Sequence, residues 1–353
     1  MKIKIEKTQN MKEKPNENDL GFGINFTDHM FIMDYEEGKG WFDPRIVPYG
    51  PLEVSPSMST FHYGQAVFEG LKAYKSPEGK TLLFRPMENM KRMNRSNGRM
   101  CIPQIDAKFC LEAIKELIKL DQEWVPSAEG TSLYIRPFII ATDTTLKLKP
   151  SKSFKFIVIL SPVGAYYPQG INPVDIYVET EYVRAVPGGT GFVKTSGNYA
   201  GSLKAQAEAA EKGFIQVLWL DGMERKNIEE VGSMNVFFKI DGEIVTPALQ
   251  GSILPGITRD SAIHLIKSWG MPISERGISI AEVYEAYDKE ILEESFGTGT
   301  AAVISPVGAL NWEGKDIEIN QGQTGDVAKK VYDIITGIQT GKLKDEFGWT
   351  VEV

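Results

Sequence analysis

Four groups of residues in this chain of 353 residues have the types and spacing that chemistry could use. The first is Lys194, set between apolar Phe192-Val193 and the small polar run Thr195-Ser196-Gly197-Asn198. Little side-chain bulk surrounds it, so a ligand can come close. An ammonium drawn out of water there favours the free amine that a Schiff base requires. Taken alone, the same lysine reads as a solvated surface residue. The second group is Glu229 and Glu230, just ahead of Val231-Gly232-Ser233 and the apolar run VFFKI. An acid beside buried sequence needs a partner, although an edge-strand glutamate facing water fits the local pattern equally well.

Arginines form the third group. Arg92, Arg95 and Arg99 recur at i, i+3, i+7 in a stretch with helical pattern, giving a basic face that is either solvated or an anion site. Arg136 interrupts the strand-like run LYIRPFII, where a guanidinium calls for an anionic partner, protein or ligand. The fourth group is backbone. Leu254-Pro255-Gly256-Ile257-Thr258 opens a helix, so the N–H groups of Ile257 and Thr258 lie at its positive end, where anions bind. Phe296 to Ala301, FGTGTA, reads as a second small-residue loop. One glycine loop is ordinary; two, with a basic helix and a lysine, point to a bound phosphate.

The elements that must position these residues can be read in outline. Residues 1–20 read as a loosely attached arm, followed by a strand over Phe26–Asp34 and a hairpin at YEEGKGW. Pro44, Pro48, Pro51 and Pro56 suggest an extended connection. The patterns predict a strand at TLLFRP, helices over Met87–Met100 and Ala107–Leu120, and strands over Leu133–Ile140 and Phe154–Leu160. Ser161–Pro173 is dense in Gly and Pro and marks the domain boundary. Beyond it come a helix over Ala200–Lys212 stopped by Gly213 and a strand over Phe214–Leu220 closed by Asp221-Gly222. Further helices are expected over Gly256–Trp269, Ile280–Ala286 and Gly325–Ile338. The division expected is 1–163 for a smaller first domain, 164–173 for a linker and 174–353 for a larger second domain, an α+β pair.

Composition bounds the rest. A hydrophobic fraction of 42% with 24% charged residues is that of an ordinary globular protein. The net charge of −8, with no basic patch interleaved with aromatics, argues against nucleic acid. Cys101 and Cys110 are too few for a disulfide framework, and with 3 histidines no metal site is expected. The charged N-terminus has no apolar core for a signal or anchor, and no run is long enough to span a membrane, so a cytoplasmic protein is the expectation.

The runs KTSGNY, EVGSMN, LPGITRD and FGTGTAA, in this order, resemble the branched-chain amino acid aminotransferases, enzymes of fold-type IV that use pyridoxal 5′-phosphate (PLP). FHYGQAVFEGLKAYK, FRPMENMKRMNRS and LYIRPFIIATD extend the likeness upstream, so that it covers most of the chain. It implies a small N-terminal α/β domain and a larger, mixed, β-barrel-like domain. It also implies transamination of leucine, isoleucine and valine with 2-oxoglutarate. Lys194 matches the Schiff-base lysine and proton carrier, Glu230 the partner of the pyridine nitrogen, and Tyr199 the residue bonded to the phenolate oxygen. Arg92, Ser233, Ile257, Thr258 and Thr300 match further cofactor-binding positions. Tyr63, Phe68, Tyr134, Arg136, Thr300 and Ala301 match the substrate pocket, and Leu146 and Leu148 match positions that enter a neighbouring subunit, which implies a homodimer. Some relatives carry a redox-sensitive Cys-x-x-Cys where this chain has Ala302 and Ser305, so no thiol switch is expected there. Other fold-type IV enzymes, a D-amino acid aminotransferase or an aminodeoxychorismate lyase, are the nearest alternatives, and a non-catalytic PLP-binding protein is a more distant one.

Overall fold

A computed structural model describes residues 1–164 and 171–353. The chain divides into two compact units, and the division differs from the one expected. One unit comprises Met1–Pro168 together with Val193–Gly197 and Gly337–Val353; the other comprises Gln169–Phe192 and Asn198–Thr336. The change of unit falls within the expected linker 164–173, of which 165–170 lie outside the described residues. The expected second domain 174–353 therefore gives up two segments, each for an identifiable reason.

In the first unit a sheet runs in the order Lys4–Ile5, Gly40–Pro48, His29–Glu36, Ser153–Val163, Ser132–Ala141, Leu71–Lys75, Thr81–Phe84, Thr350–Glu352, with Ala66–Phe68 also paired to Ser132–Ala141. Strand alternation sorts the side chains. Leu133, Ile135, Ile139 and Ala141 are buried in the core with Met90, Met93, Ile114, Leu117 and Ile118 of helices Pro86–Arg99 and Ala107–Leu120. Tyr134, Arg136 and Phe138 face the other way and are only half-buried. The second helix starts where Asp106 accepts from the N–H groups of Lys108 and Phe109, a side-chain N-cap.

Three expectations are corrected here. Pro44 and Pro48 lie within strand Gly40–Pro48 rather than in a connection. The arm 1–20 is fastened down: Lys4 and Ile5 pair with Arg45 and Ile46, Thr8 N–H donates to His29 Nε2 at 2.9 Å, and Lys12 N–H donates to Asp28 at 2.8 Å. Its polar residues find fixed acceptors on the unit, which composition could not reveal. The C-terminal segment joins this sheet because Val351 pairs with Leu83, while Trp349 stacks on Phe347 at 4.3 Å and meets the edge of Phe84 at 5.6 Å.

In the second unit, strands Val174–Glu179, Gln216–Leu220, Ile228–Val231, Met234–Ile240, Leu292–Gly299 and Val303–Trp312 close on themselves as a barrel, because Ile228–Val231 pairs with both Gln216–Leu220 and Met234–Ile240. Closure removes the exposed strand edges of an open sheet. Trp219, Phe237, Phe238 and Phe296 are fully buried, with Phe237 and Phe296 stacked at 5.0 Å. Helix Leu203–Glu211 packs Ala205 and Ala209 onto Val217 and Trp219. The run FGTGTA is not a loop throughout: residues 296–299 end a strand, and only the tip beyond them turns.

Trp349→Ala should cost on the order of 3 kcal/mol, as large aromatic truncations in a core do, and free the edge strand. Urea unfolding followed by near-ultraviolet circular dichroism measures this; an unchanged midpoint would mean that the C-terminal strand does not hold the first unit together.

Candidate active site

Val193–Gly197 belongs to the first unit although the chain on both sides of it belongs to the second. The segment is held by backbone. Lys194 C=O accepts from Phe68 N–H at 3.0 Å, Thr195 bridges Val67, and the Thr195 hydroxyl donates to Ala66 C=O at 2.7 Å. Lys194 N–H donates to Ser96 Oγ at 3.0 Å. Lys194 is thus set against strand Ala66–Phe68 and helix Pro86–Arg99, with its Nζ over the Phe68 ring, 4.7 Å from the centroid. A favourable cation–ring contact of this kind orients an amine without neutralising it. In the second unit Asn198 accepts from the Thr190 hydroxyl at 2.7 Å and donates to the Thr190 carbonyl at 2.8 Å, fixing the two stems of the segment.

Arg92 is buried, whereas Arg95 and Arg99 are exposed, so the basic face splits into one inward arginine and two solvated ones. The partner of Arg92 is Glu69, with Nε to Oε1 at 2.7 Å and Nη2 to Oε2 at 2.8 Å. Asn89 and the Gly70 N–H add further bonds to Oε2, at 2.9 and 3.2 Å. Burial pushes the Glu69 carboxyl up, but Arg92, Lys194 and Asn89 together outweigh it and hold it below the usual carboxylate range. Sequence reasoning missed Glu69; its only signal was a glutamate within the apolar run AVFEGL.

On the half-buried face of the same sheet, Arg136 donates to the Tyr134 hydroxyl at 3.0 Å and lies over the Phe68 and Tyr134 rings at 4.9 and 5.2 Å. The Tyr134 hydroxyl sits against Gly70, where an added Cβ would come within 2.1 Å of it. Two further residues of this face were missed. Phe22, just beyond the arm, meets the Tyr134 ring edge-on at 5.2 Å. Lys72, opposite Tyr134 in the ladder, is a buried amine whose pKa burial pushes down to about 8. Tyr63, Leu146 and Leu148 form a separate group: the Tyr63 hydroxyl donates to Leu146 C=O, and all three side chains are exposed.

The second unit carries the remaining residues. Glu230 is buried on strand Ile228–Val231, accepts from Leu254 N–H at 2.9 Å, and lies 3.4 Å from Arg184 Nη2. Its ladder neighbour Asn235 donates to Leu254 C=O at 2.9 Å and pairs in turn with Thr298, whose buried hydroxyl has no protein partner among the described residues. Helix Ile257–Ser268 begins after Gly256, with no side chain capping its first N–H groups, those of Ile257 and Thr258. An uncapped helix start with a buried threonine beside it is ready for an anion. Thr300 and Ala301 are half-buried at the turn before Val303, whose φ of +65° is strained for a β-branched residue. Ser233 is exposed in the turn after Val231, and Tyr199 is half-buried. No cluster of His, Cys, Asp and Glu among the described residues could hold a metal.

The chain matches the family model for class IV amino-transferases over residues 66–310. It is 63% identical to branched-chain-amino-acid aminotransferase 2 of Bacillus subtilis over 351 residues, covering 99% of this chain and 97% of that one. It is 47% identical to the branched-chain-amino-acid aminotransferase of Mycobacterium tuberculosis over 334 residues, covering 93% and 91%. Its fold matches the crystal structure of the Escherichia coli branched-chain amino acid aminotransferase with a TM-score of 0.77 at 29% identity, over 92% of this chain and 98% of that one. The T.th. enzyme of the same name, complexed with N-(5′-phosphopyridoxyl)-L-glutamate, matches with a TM-score of 0.74 at 28% identity, over 90% and 97%. The chain belongs to the class IV aminotransferases and, within them, to the branched-chain-amino-acid aminotransferases.

Glu69→Gln should destabilise the protein by about 3 kcal/mol, because it leaves a buried guanidinium without its counter-charge. The wild-type advantage has a pH signature. The folded carboxyl titrates below the ordinary 4.5, so the contribution is complete above that value and disappears as pH falls through the lowered folded value. Urea unfolding of both proteins at stepped pH checks this; a gap that widens on acidification would refute the ionised pair.

Proposed function

We propose that the protein transfers the amino group of leucine, isoleucine and valine reversibly to 2-oxoglutarate, with PLP as cofactor and as a homodimer in the cytoplasm. The observation that carries this reading is the placement of Lys194: a short segment carries its amine to Phe68, beside the buried Glu69–Arg92 pair. The residues present fit the cofactor. A phosphate dianion suits the uncapped N–H groups of Ile257 and Thr258 in the second unit, where the buried Thr298 hydroxyl has no protein partner among the described residues; Arg92, in the first unit, is assigned to the phosphate by the resemblance alone. Glu230, a buried carboxylate, suits a protonated ring nitrogen.

When bound, PLP supplies the carbonyl that takes the amino group and the ring that spreads the electrons left behind at Cα. The chain supplies the rest. Lys194 Nζ anchors the cofactor and then carries the proton that leaves Cα. Glu230 keeps the ring nitrogen protonated, and Tyr199 is assigned to the phenolate oxygen. Backbone N–H groups at Thr300 and Ala301 are assigned to the α-carboxylate, and Ser233 to the cofactor. Phe68 and Tyr134 offer apolar surface to a leucine side chain, which contributes roughly 1.5–3 kcal/mol on burial.

Support for the dimer comes from exposed apolar side chains collected near one edge of the first unit: Phe61 at 58%, Tyr63 at 43%, Leu146 at 65% and Leu148 at 81%. The Tyr63–Leu146 hydrogen bond and the bridge between Met58 and Thr144 tie their two segments together. A covered interface is the ordinary fate of such a patch.

The test is spectroscopic. Leucine should abolish the visible absorption of the loaded protein and 2-oxoglutarate should restore it, while Lys194→Ala binds PLP yet shows no turnover. Turnover by Lys194→Ala without added amine overturns the assignment of the lysine. Release of pyruvate from aminodeoxychorismate would move the protein to the lyases.

A second prediction concerns the distal carboxylate of 2-oxoglutarate. Arg136→Met should slow the 2-oxoglutarate half-reaction tenfold or more, about 1.4 kcal/mol per decade, and the leucine half-reaction much less. Stopped-flow rates for the two halves decide it. An equal loss in both makes Arg136 structural and turns attention to Lys72, the other cation on that face.

A further inference from the structure

Two acids stand side by side on strand Ile228–Val231, both buried, and the proposed function uses only Glu230. Their surroundings are unequal. Glu230 Oε1 accepts from Leu254 N–H at 2.9 Å and faces Arg184 Nη2 at 3.4 Å. Among the described residues Glu229 has no cation within ion-pair distance, Arg184 being paired with Glu230. Its Oε1 accepts only the Ser252 hydroxyl, and its Oε2 is buried with no partner among the described residues. Arg184, whose side chain is 8% exposed, gives its Nη2 to the Ser252 carbonyl as well. Ser252 thus ties the cation with its carbonyl and the second acid with its hydroxyl. Gly191 closes off that carbonyl, since a Cβ there would lie 2.1 Å from the oxygen.

One guanidinium cannot neutralise two carboxylates. An ionised carboxylate left buried with one hydrogen bond and no ion pair is costly, and a neighbouring negative charge makes it more so. We propose that Glu229 is a neutral, protonated acid and Arg184 the dedicated counter-ion of Glu230, the two acting as positioning residues that confine a single negative charge to Glu230. The titratable groups bearing on Glu229 agree: burial has the largest effect and raises its proton affinity, Glu230 and Asp221 raise it further, and only the Ser252 hydroxyl and Arg184 oppose. The consequence is functional. Glu230 stays ionised whether or not the ring nitrogen is present, so no proton has to leave this pair when the cofactor binds, and Glu229 cannot compete for the role. The inference rests on the reading of Glu230 as partner of the ring nitrogen.

The experiment uses the holoenzyme and two readouts other than turnover. Infrared spectroscopy at neutral pH should show a protonated-carboxyl C=O band that Glu229→Gln removes and Glu230→Gln does not. PLP affinity and the pH midpoint of the bound cofactor's visible absorption form the second readout. Arg184→Gln should weaken PLP about tenfold and move the midpoint, Arg184→Lys should recover most of both, and Arg184→Gln should add less than twofold in a Glu230→Gln background. Absence of a band removed by Glu229→Gln overturns the protonated acid. An Arg184→Gln effect undiminished in the Glu230→Gln background overturns the dedicated counter-ion. If Glu230→Gln alone alters neither affinity nor midpoint, the role of Glu230 itself fails, and the infrared band still decides whether Glu229 holds a proton.

Discussion

A charge taken out of water has to be met by another, and that constraint fixes the geometry of both units. In the first, Glu69 and Arg92 join the end of strand Ala66–Phe68 to helix Pro86–Arg99 by two parallel bonds, with Asn89 of the same helix completing the acid's shell. Neither residue can rotate without stranding the other, so the strand that pairs with the Lys194 segment is fixed relative to the helix that receives its N–H. In the second unit Glu230 is met by Arg184 and Leu254 N–H, which holds the segment before helix Ile257–Ser268 against the barrel. The arm is held by hydrogen bonds instead. His29 and Asp121 are buried together at 2.6 Å, and the Thr8 N–H donates to the ring nitrogen that Asp121 does not use.

Close approach is the second constraint, and it shows where side chains had to be removed. Gly70 leaves the room that the Tyr134 hydroxyl occupies, and Tyr134 in turn receives Arg136. A methyl group at Gly70 would displace the Tyr134 hydroxyl and with it the partner of Arg136. This is the physical content of the glycine in FEGLK: it sets the height of a hydroxyl above the sheet rather than a turn.

Much of this was legible in the sequence, because the signals were local. Helix Ala107–Leu120 was expected from its amphipathic pattern, and the structure gives the same bounds. The strand bearing Arg136 showed as an apolar run, and KTSGNY, EVGSMN and LPGIT stood as contiguous runs. What stayed illegible depends on partners distant in sequence. Glu69 meets Arg92 23 residues away. Thr350–Glu352 finds an edge strand at Leu82–Phe84 that no nearby residue announces. The arm looked loose because its partners lie outside it: Asp28 and His29 accept from the N–H groups of Lys12 and Thr8, and the N–H groups of Ser127 and Ala128 donate to Glu17. FGTGTA looked like a loop because small residues in a strand beside bulky Met234 resemble those in a turn; a Cβ at Gly299 would come within 3.0 Å of Met234.

Under the proposed function, the face of the first unit that carries Arg136 serves a branched aliphatic side chain and a carboxylate in alternate half-reactions, and its composition suggests how. Phe68, Tyr134 and Phe22 supply flat apolar surface that needs no hydrogen-bond partner. Arg136 lies over two of those rings, so its charge is partly met by their faces and by the Tyr134 hydroxyl when no carboxylate is present. A guanidinium stored in this way is a smaller penalty to leucine than a bare cation would be, since apolar atoms can cover ring and guanidinium planes alike. A carboxylate arriving on the same face exchanges the weak ring contacts for a charge-assisted bond that is stronger than either. Dual specificity then requires no rearrangement of the sheet, only a guanidinium with two acceptable partners.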